Sequence, residues 1–155
     1  MTRILSVRLH RRAIGIAILE REGLTFADGR HLASGVARAI PTAVAYVQRW
    51  LTGSGATAVI VDSAPAGLSE VTDDIRAHVA QLCADAHLPM LTIGRAEILA
   101  AYGHPALRSR YEVRGLVGEY WPDLLTIRGR VRPFAIDAAA AALYAECRMA
   151  LYHPT

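Results

Sequence analysis
The sequence predicts an α/β domain. Two observations carry this. Three strand-like runs open the chain and are followed by alternating helix and strand signals. An unbroken apolar, β-branched run, Thr57-Ala58-Val59-Ile60-Val61, then reads as a central strand covered on both faces. With 155 residues, 53% hydrophobic and 20% charged, the chain suits one domain over residues 1–155 with a sizeable core.

The first strand is expected over Ile4 to Leu9. Side chains alternate along a strand, so Ile4, Ser6 and Arg8 share one face and Leu5, Val7 and Leu9 the other. A short basic turn, His10-Arg11-Arg12, leads into a second strand over Ala13 to Leu19, where Gly15 permits a close backbone approach. Leu24 to His31 forms a third strand, with Asp28-Gly29 as a point for a bulge or an early end. Pro41 suits the first turn of a helix, which carries Val44, Val47 and Leu51 as an apolar stripe and ends at Thr52-Gly53-Ser54-Gly55.

Asp62 closes the fourth strand, at the carboxyl edge where open α/β sheets usually bind ligands. Ser69 is expected to cap a helix whose apolar face runs Leu68, Val71, Ile75, Val79, Leu82 and Ala86. Met90 to Ile93 is a fifth strand. A short helix within Gly94 to Gly103 and a boundary at His104-Pro105 follow. A helix is then expected over Leu107 to Tyr120, and a loop or short strand over Thr126 to Arg132. The alanine-rich Phe134 to Leu151 is the last helix.

Several chemistries lack their residue patterns. The six histidines have no zinc-like spacing, no phosphate-binding glycine loop is present, and Ser63 lacks a nucleophile-elbow context. No apolar run approaches the roughly 20 residues of a membrane helix. The amino-terminal segment is strand-like rather than signal-like, and Cys83 and Cys147 on separate helices read as reduced thiols. A cytoplasmic chain without membrane contact is therefore expected. Every basic residue is arginine and the net charge is only +3, too small by itself to assign a nucleic-acid partner.

Three groups of residues remain: the opening hairpin, the aspartates Asp62 and Asp137, and three arginine clusters. The clusters are Arg8-Arg11-Arg12, Arg108-Arg110-Arg114 and Arg128-Arg130-Arg132. Tyr102, Tyr111 and Trp121 lie close to them in sequence, and such aromatics can stack on bases. The hairpin, the element order and the two aspartates resemble the ribonuclease H-like superfamily, in particular RuvC-type Holliday-junction resolvases. That resemblance implies a mixed five-stranded sheet, its first three strands antiparallel, flanked by helices. It also implies a two-metal nuclease site with acids on the first strand, the fourth strand and the last helix.

Asp62 and Asp137 match two of those acids, whereas Arg8 stands where the first-strand aspartate is expected. A further family acid falls at Ala140 or Phe134, depending on which one Asp137 represents. Each aspartate also has a plain structural reading, as a turn former or a helix-dipole partner. The expectation is a remnant acidic site with no working catalytic residue, no metal ligands and no cofactor. Arg8 would sit between the acids, and Arg11, Arg12, Arg108, Arg110 and Arg114 would meet nucleic acid. Branched or duplex DNA, a protein partner and a second copy of the chain are the partners this implies. The rival expectation is an active nuclease using magnesium or manganese with an unusual ligand set.

Overall fold
The computed structural model describes residues 2–21, 23–32, 35–102 and 109–152; the side chains of 36 and 147–152 are outside that description. Its elements are β1 (Ile4–Leu9), β2 (Ala13–Glu20), β3 (Gly23–His31), α1 (Val36–Ser54), β4 (Ala58–Asp62), α2 (Glu70–Asp85), β5 (Met90–Ile93), α3 (Arg95–Ala101), α4 (Arg110–Tyr120), a 3-10 helix (Pro122–Thr126) and α5 (Arg132–Tyr152). The sheet order is β3-β2-β1-β4-β5. The first three strands are antiparallel, and β4 and β5 continue the sheet in parallel from β1. This is the predicted α/β architecture with the predicted pairing of β1 to both β2 and β4.

Strand parity sorts the core into two layers. Leu5, Val7 and Leu9 join Ile14, Ile16 and Ile18 on the face covered by α1 and α2. Ile4, Ala17, Leu19 and Ile60 lie on the other face, against the alanines of α5. Ala135, Ala138 to Ala142 and Ala145 are all buried, so α5 approaches the sheet with little side-chain bulk between backbones. Gly15 sits under this approach: a Cβ there would land on the carbonyl of Phe134. Among the described residues, no helix is long and apolar enough to cross a membrane.

Some local expectations are corrected. β3 runs through Asp28-Gly29 to His31, and the register shift lies instead opposite Ile18 and Leu19. Gly29 is needed because Val131 fills the space a side chain would take. Helix α1 begins at Val36, which puts Pro41 inside the helix and not in its first turn. Ala37 is solvent-exposed, so water can satisfy the carbonyl that Pro41 leaves without a donor. Ser69 caps α2 as predicted, its hydroxyl accepting from the Thr72 amide at 3.2 Å. The buried face of α2 is nevertheless Thr72, Ile75, Val79 and Cys83, and Leu68 in the preceding loop is 74% exposed. The segment expected to be loop or strand, Thr126 to Arg132, joins the 3-10 helix to α5. The boundary at His104-Pro105 and residues Leu107 and Arg108 fall outside the described residues.

Candidate functional site: an arginine-aspartate cluster at the carboxyl edge of the sheet
The register of β1 against β4 builds the site. Arg8 pairs with Gly15 of β2 and with Asp62 of β4, so Arg8 and Asp62 project to the same face. That face is covered by α5, whose second turn brings Asp137 down onto the strands. All three groups are buried: Arg8 is 8% exposed, Asp62 0% and Asp137 3%. The Arg8 Nε donates to Asp137 Oδ2 at 3.2 Å and lies 3.9 Å from Asp62 Oδ2. Its Nη1 donates to the carbonyl of Leu9 at 2.8 Å. Arg8 therefore lies between the two acids, inside the roughly 6 Å over which a charge pair stays favourable.

The strongest contacts come from another element. Helix α4 is capped by Ser69's counterpart Ser109, whose hydroxyl accepts from the Glu112 amide, and its buried Val113 and Val117 seat it on the core. Arg110 and Arg114, one turn apart, then reach the same two acids. The Arg110 guanidinium forks onto Asp62, Nη1 to Oδ2 at 2.7 Å and Nη2 to Oδ1 at 2.8 Å. Arg114 forks onto Asp137, Nε to Oδ1 at 2.8 Å and Nη2 to Oδ2 at 2.9 Å. These are paired, charge-assisted bonds of the geometry that arginine alone provides. Three guanidiniums face two carboxylates, which leaves one positive charge in excess.

Proton affinities follow from this packing. Burial pulls the Arg8 guanidinium below the ordinary arginine range, and the neighbouring Arg110 adds to that, while Asp62 and Asp137 pull the other way. Burial also acts to lower Arg110, but its hydrogen bonds and charge pairing with Asp62 outweigh it and hold the group above the ordinary value. His10, at the end of β1, is pushed down by its burial and then by Arg8, Arg11 and Arg12. Its Nδ1 accepts the Arg12 amide at 3.1 Å, so the neutral ring carries its proton on Nε2.

The donor set does not fit a divalent-metal centre. Magnesium takes hard oxygen ligands in near-octahedral order at about 2.0–2.1 Å. Here each of the four carboxylate oxygens of Asp62 and Asp137 already accepts a guanidinium N–H. Among the described residues, no three His, Cys, Asp or Glu side chains come together in a way that could hold a metal ion. Glu20 is paired with Arg3, away from the cluster.

The remaining sequence candidates separate. Arg11 and Arg12 are exposed on the turn between β1 and β2. Arg110 and Arg114 have their guanidiniums turned inward onto the acids, and Arg108 is outside the described residues. Among the aromatics, Tyr111 is 80% exposed, Trp121 is half-buried, and the Tyr102 hydroxyl donates to the carbonyl of Ala140. Ser63 accepts from Arg76, in keeping with a structural role.

This sheet order, with α5 laid across its centre, is a ribonuclease H-like fold of the RuvC kind. The chain is similar over 96% of its length to Thermus thermophilus RuvC bound to a Holliday junction substrate, covering 96% of that chain at 17% identity and a TM-score of 0.71. It is also similar to the fowlpox virus resolvase in complex with Holliday junction DNA, with 14% identity, 93% of this chain and 99% of that one covered, and a TM-score of 0.61. The yeast mitochondrial Holliday junction resolvase matches 97% of this chain and 81% of its own at 10% identity, with a TM-score of 0.50. No protein-family model matches the sequence, and no curated protein sequence matches it either.

Proposed function
We propose that the chain is a non-catalytic RuvC-like module that binds branched or duplex DNA through its phosphates. In this reading Arg8 takes the place of the first-strand metal-binding acid. One observation carries it: every oxygen of the two remaining acids is saturated by arginine. Two of the structural neighbours are resolvases in complex with Holliday junction DNA, which supports branched DNA as the partner to test first.

The experiment pairs binding with cleavage. Anisotropy of a labelled four-way junction and of a duplex is followed across a salt series, then the same substrates are incubated with magnesium or manganese. Binding at low salt is expected, with log K falling by about 0.9 per contacted phosphate for each decade of salt. No metal-dependent cleavage is expected. Cleavage that Asp62→Asn abolishes would falsify the non-catalytic reading. Absence of binding at low salt would favour a protein partner instead. Light scattering on the same samples tests whether the module acts as a homodimer.

A further inference from the structure
A cleft of about 730 Å³ opens at the basic turn between β1 and β2. That volume is within the range of small-molecule sites. Five basic side chains line it: His10, Arg11, Arg12, His31 and Arg130. No acidic residue lines it among the described residues. Unlike Arg8, Arg110 and Arg114, the side chains of Arg11, Arg12 and Arg130 have no ion pair or hydrogen bond among the described residues. All three are exposed. Gathering cations with no counter-charge costs electrostatic energy unless an anion joins them.

The backbone adds to the same field. Gly35, at the amino end of the nineteen-residue helix α1, lines the cleft. This end has no side-chain cap bond among the described residues and no acidic residue in its first turn, so its positive end adds to the field of the cleft. Phe134 and Val71 add apolar surface to the lining, with His10 against the Phe134 ring at a centroid distance of 4.8 Å. A flat apolar group and an anionic group can therefore be held side by side.

We infer that this cleft is a phosphate-binding site, taking a phosphate group among Arg11, Arg12 and Arg130 with the attached nucleoside against Phe134. The site deepens the DNA-binding reading above by placing a phosphate contact at the turn and away from α4. Its ligand chemistry has two sources, a nucleotide within a nucleic acid or a free nucleotide. Arginine forks suit phosphate oxygens, and the Nε2–H of His10 supplies a further donor.

The test uses the full chain, with Arg12→Ser/Arg130→Ser as the cleft variant. Arg21→Ser/Arg49→Ser is the control that loses the same charge elsewhere on the surface. Two probes are used: adenosine monophosphate by titration calorimetry and a labelled four-way DNA junction by anisotropy at low salt. The four positions are exposed or lie at the surface edge, so unchanged melting of both variants is the folding check. The cleft variant is expected to weaken binding of at least one probe by about tenfold or more, the loss of charge-assisted bonds, with the control changed by less than about threefold. Equal losses in both variants would overturn the site, since bulk charge would then suffice. Junction binding that the cleft variant leaves intact, with nucleotide binding absent or equally intact, would overturn the cleft and leave the DNA-binding reading standing. Binding of the nucleotide alone, lost in the cleft variant, would uphold the cleft, assign it a free nucleotide and remove the DNA-binding reading. Failure of the wild-type chain to bind either probe would overturn both.

Discussion

Arg8 and Arg110 differ in what each leaves behind when truncated. Without Arg8, Asp62 and Asp137 each keep a forked arginine, so two charges face two. Arg8→Ala is therefore expected to cost about 1–3 kcal/mol, the loss of one buried charged bond and some packing. Without Arg110, the fully buried Asp62 keeps only Arg8 at 3.9 Å, and the expected cost is about 3–5 kcal/mol. Urea denaturation of both variants checks the ranking, and the reverse order would mean that the acids are held mainly by Arg8. Ser6 presents the opposite case. Its hydroxyl is buried without a hydrogen-bond partner among the described residues, so Ser6→Ala should be neutral or stabilising by about 1 kcal/mol. His10 carries a pH effect. Its folded pKa lies below 6.5, so between the two values the unfolded chain binds more protons. Its contribution is complete above about pH 6.5 and is lost as pH falls through the folded value. His10→Gln should flatten the fall in stability that sets in as pH drops below about 6.5; an unaltered profile would place the titration elsewhere. Strand parity put Arg8 on one face of its strand, but its meeting with Asp62 and Asp137 was legible only through the resemblance to RuvC-type resolvases, because parity says nothing of a residue on a helix. The inward turn of Arg110 and Arg114 was not legible, since an i,i+4 arginine pair reads equally as a solvated surface and the rotation of α4 about its axis is set by distant packing.

At the scale of elements, the docking of α5 onto β2 controls where Asp137 stands. Gly15→Ala would push a methyl into the Phe134 carbonyl and lift the start of α5, at a cost of about 3 kcal/mol or more. Gly53→Ala makes the contrast, because it lies near the end of α1 with open space around it. Higher helix propensity should make that change neutral or stabilising by up to about 1 kcal/mol. Thermal melts of the two variants side by side test whether close approach, and not glycine content, is what the fold requires. The strands were legible almost to the residue because β-branched runs and period-two alternation agree. The helices were less so. Apolar spacing extends the face of α2 back to Leu68, yet the face begins after the Ser69 cap and runs through Thr72 and Cys83, residues whose polarity masks their burial. Pro41 marks a helix start by local rules, but the packing of Ala43, Tyr46 and Val47 on the sheet outweighs one missing hydrogen bond.

For the molecule as a whole, two basic regions divide their roles. The cluster under α4 is internally neutralised to within one charge, whereas the cleft at the β1–β2 turn has cations without partners. The sequence shows both as runs of arginine, and only the fold separates an arginine that holds the protein together from one that faces outward. The saturated acids have a consequence for thermodynamic linkage. A ligand that binds only the folded state raises its melting temperature, with a stabilisation that grows as the logarithm of one plus ligand concentration over Kd, as an acid-lined metal site does with its ion. Here three guanidiniums already supply the counter-charge from within the chain. The melting temperature should therefore be the same in a chelator as in about 10 mM magnesium at matched ionic strength, measured by scanning calorimetry. Arg8→Asp alone, which introduces a third carboxylate and removes a cation, should leave that insensitivity to magnesium in place, because Arg110 and Arg114 still hold all four oxygens of Asp62 and Asp137. In this chain the positive charge beside the acids is covalent: it cannot be diluted, chelated or exchanged.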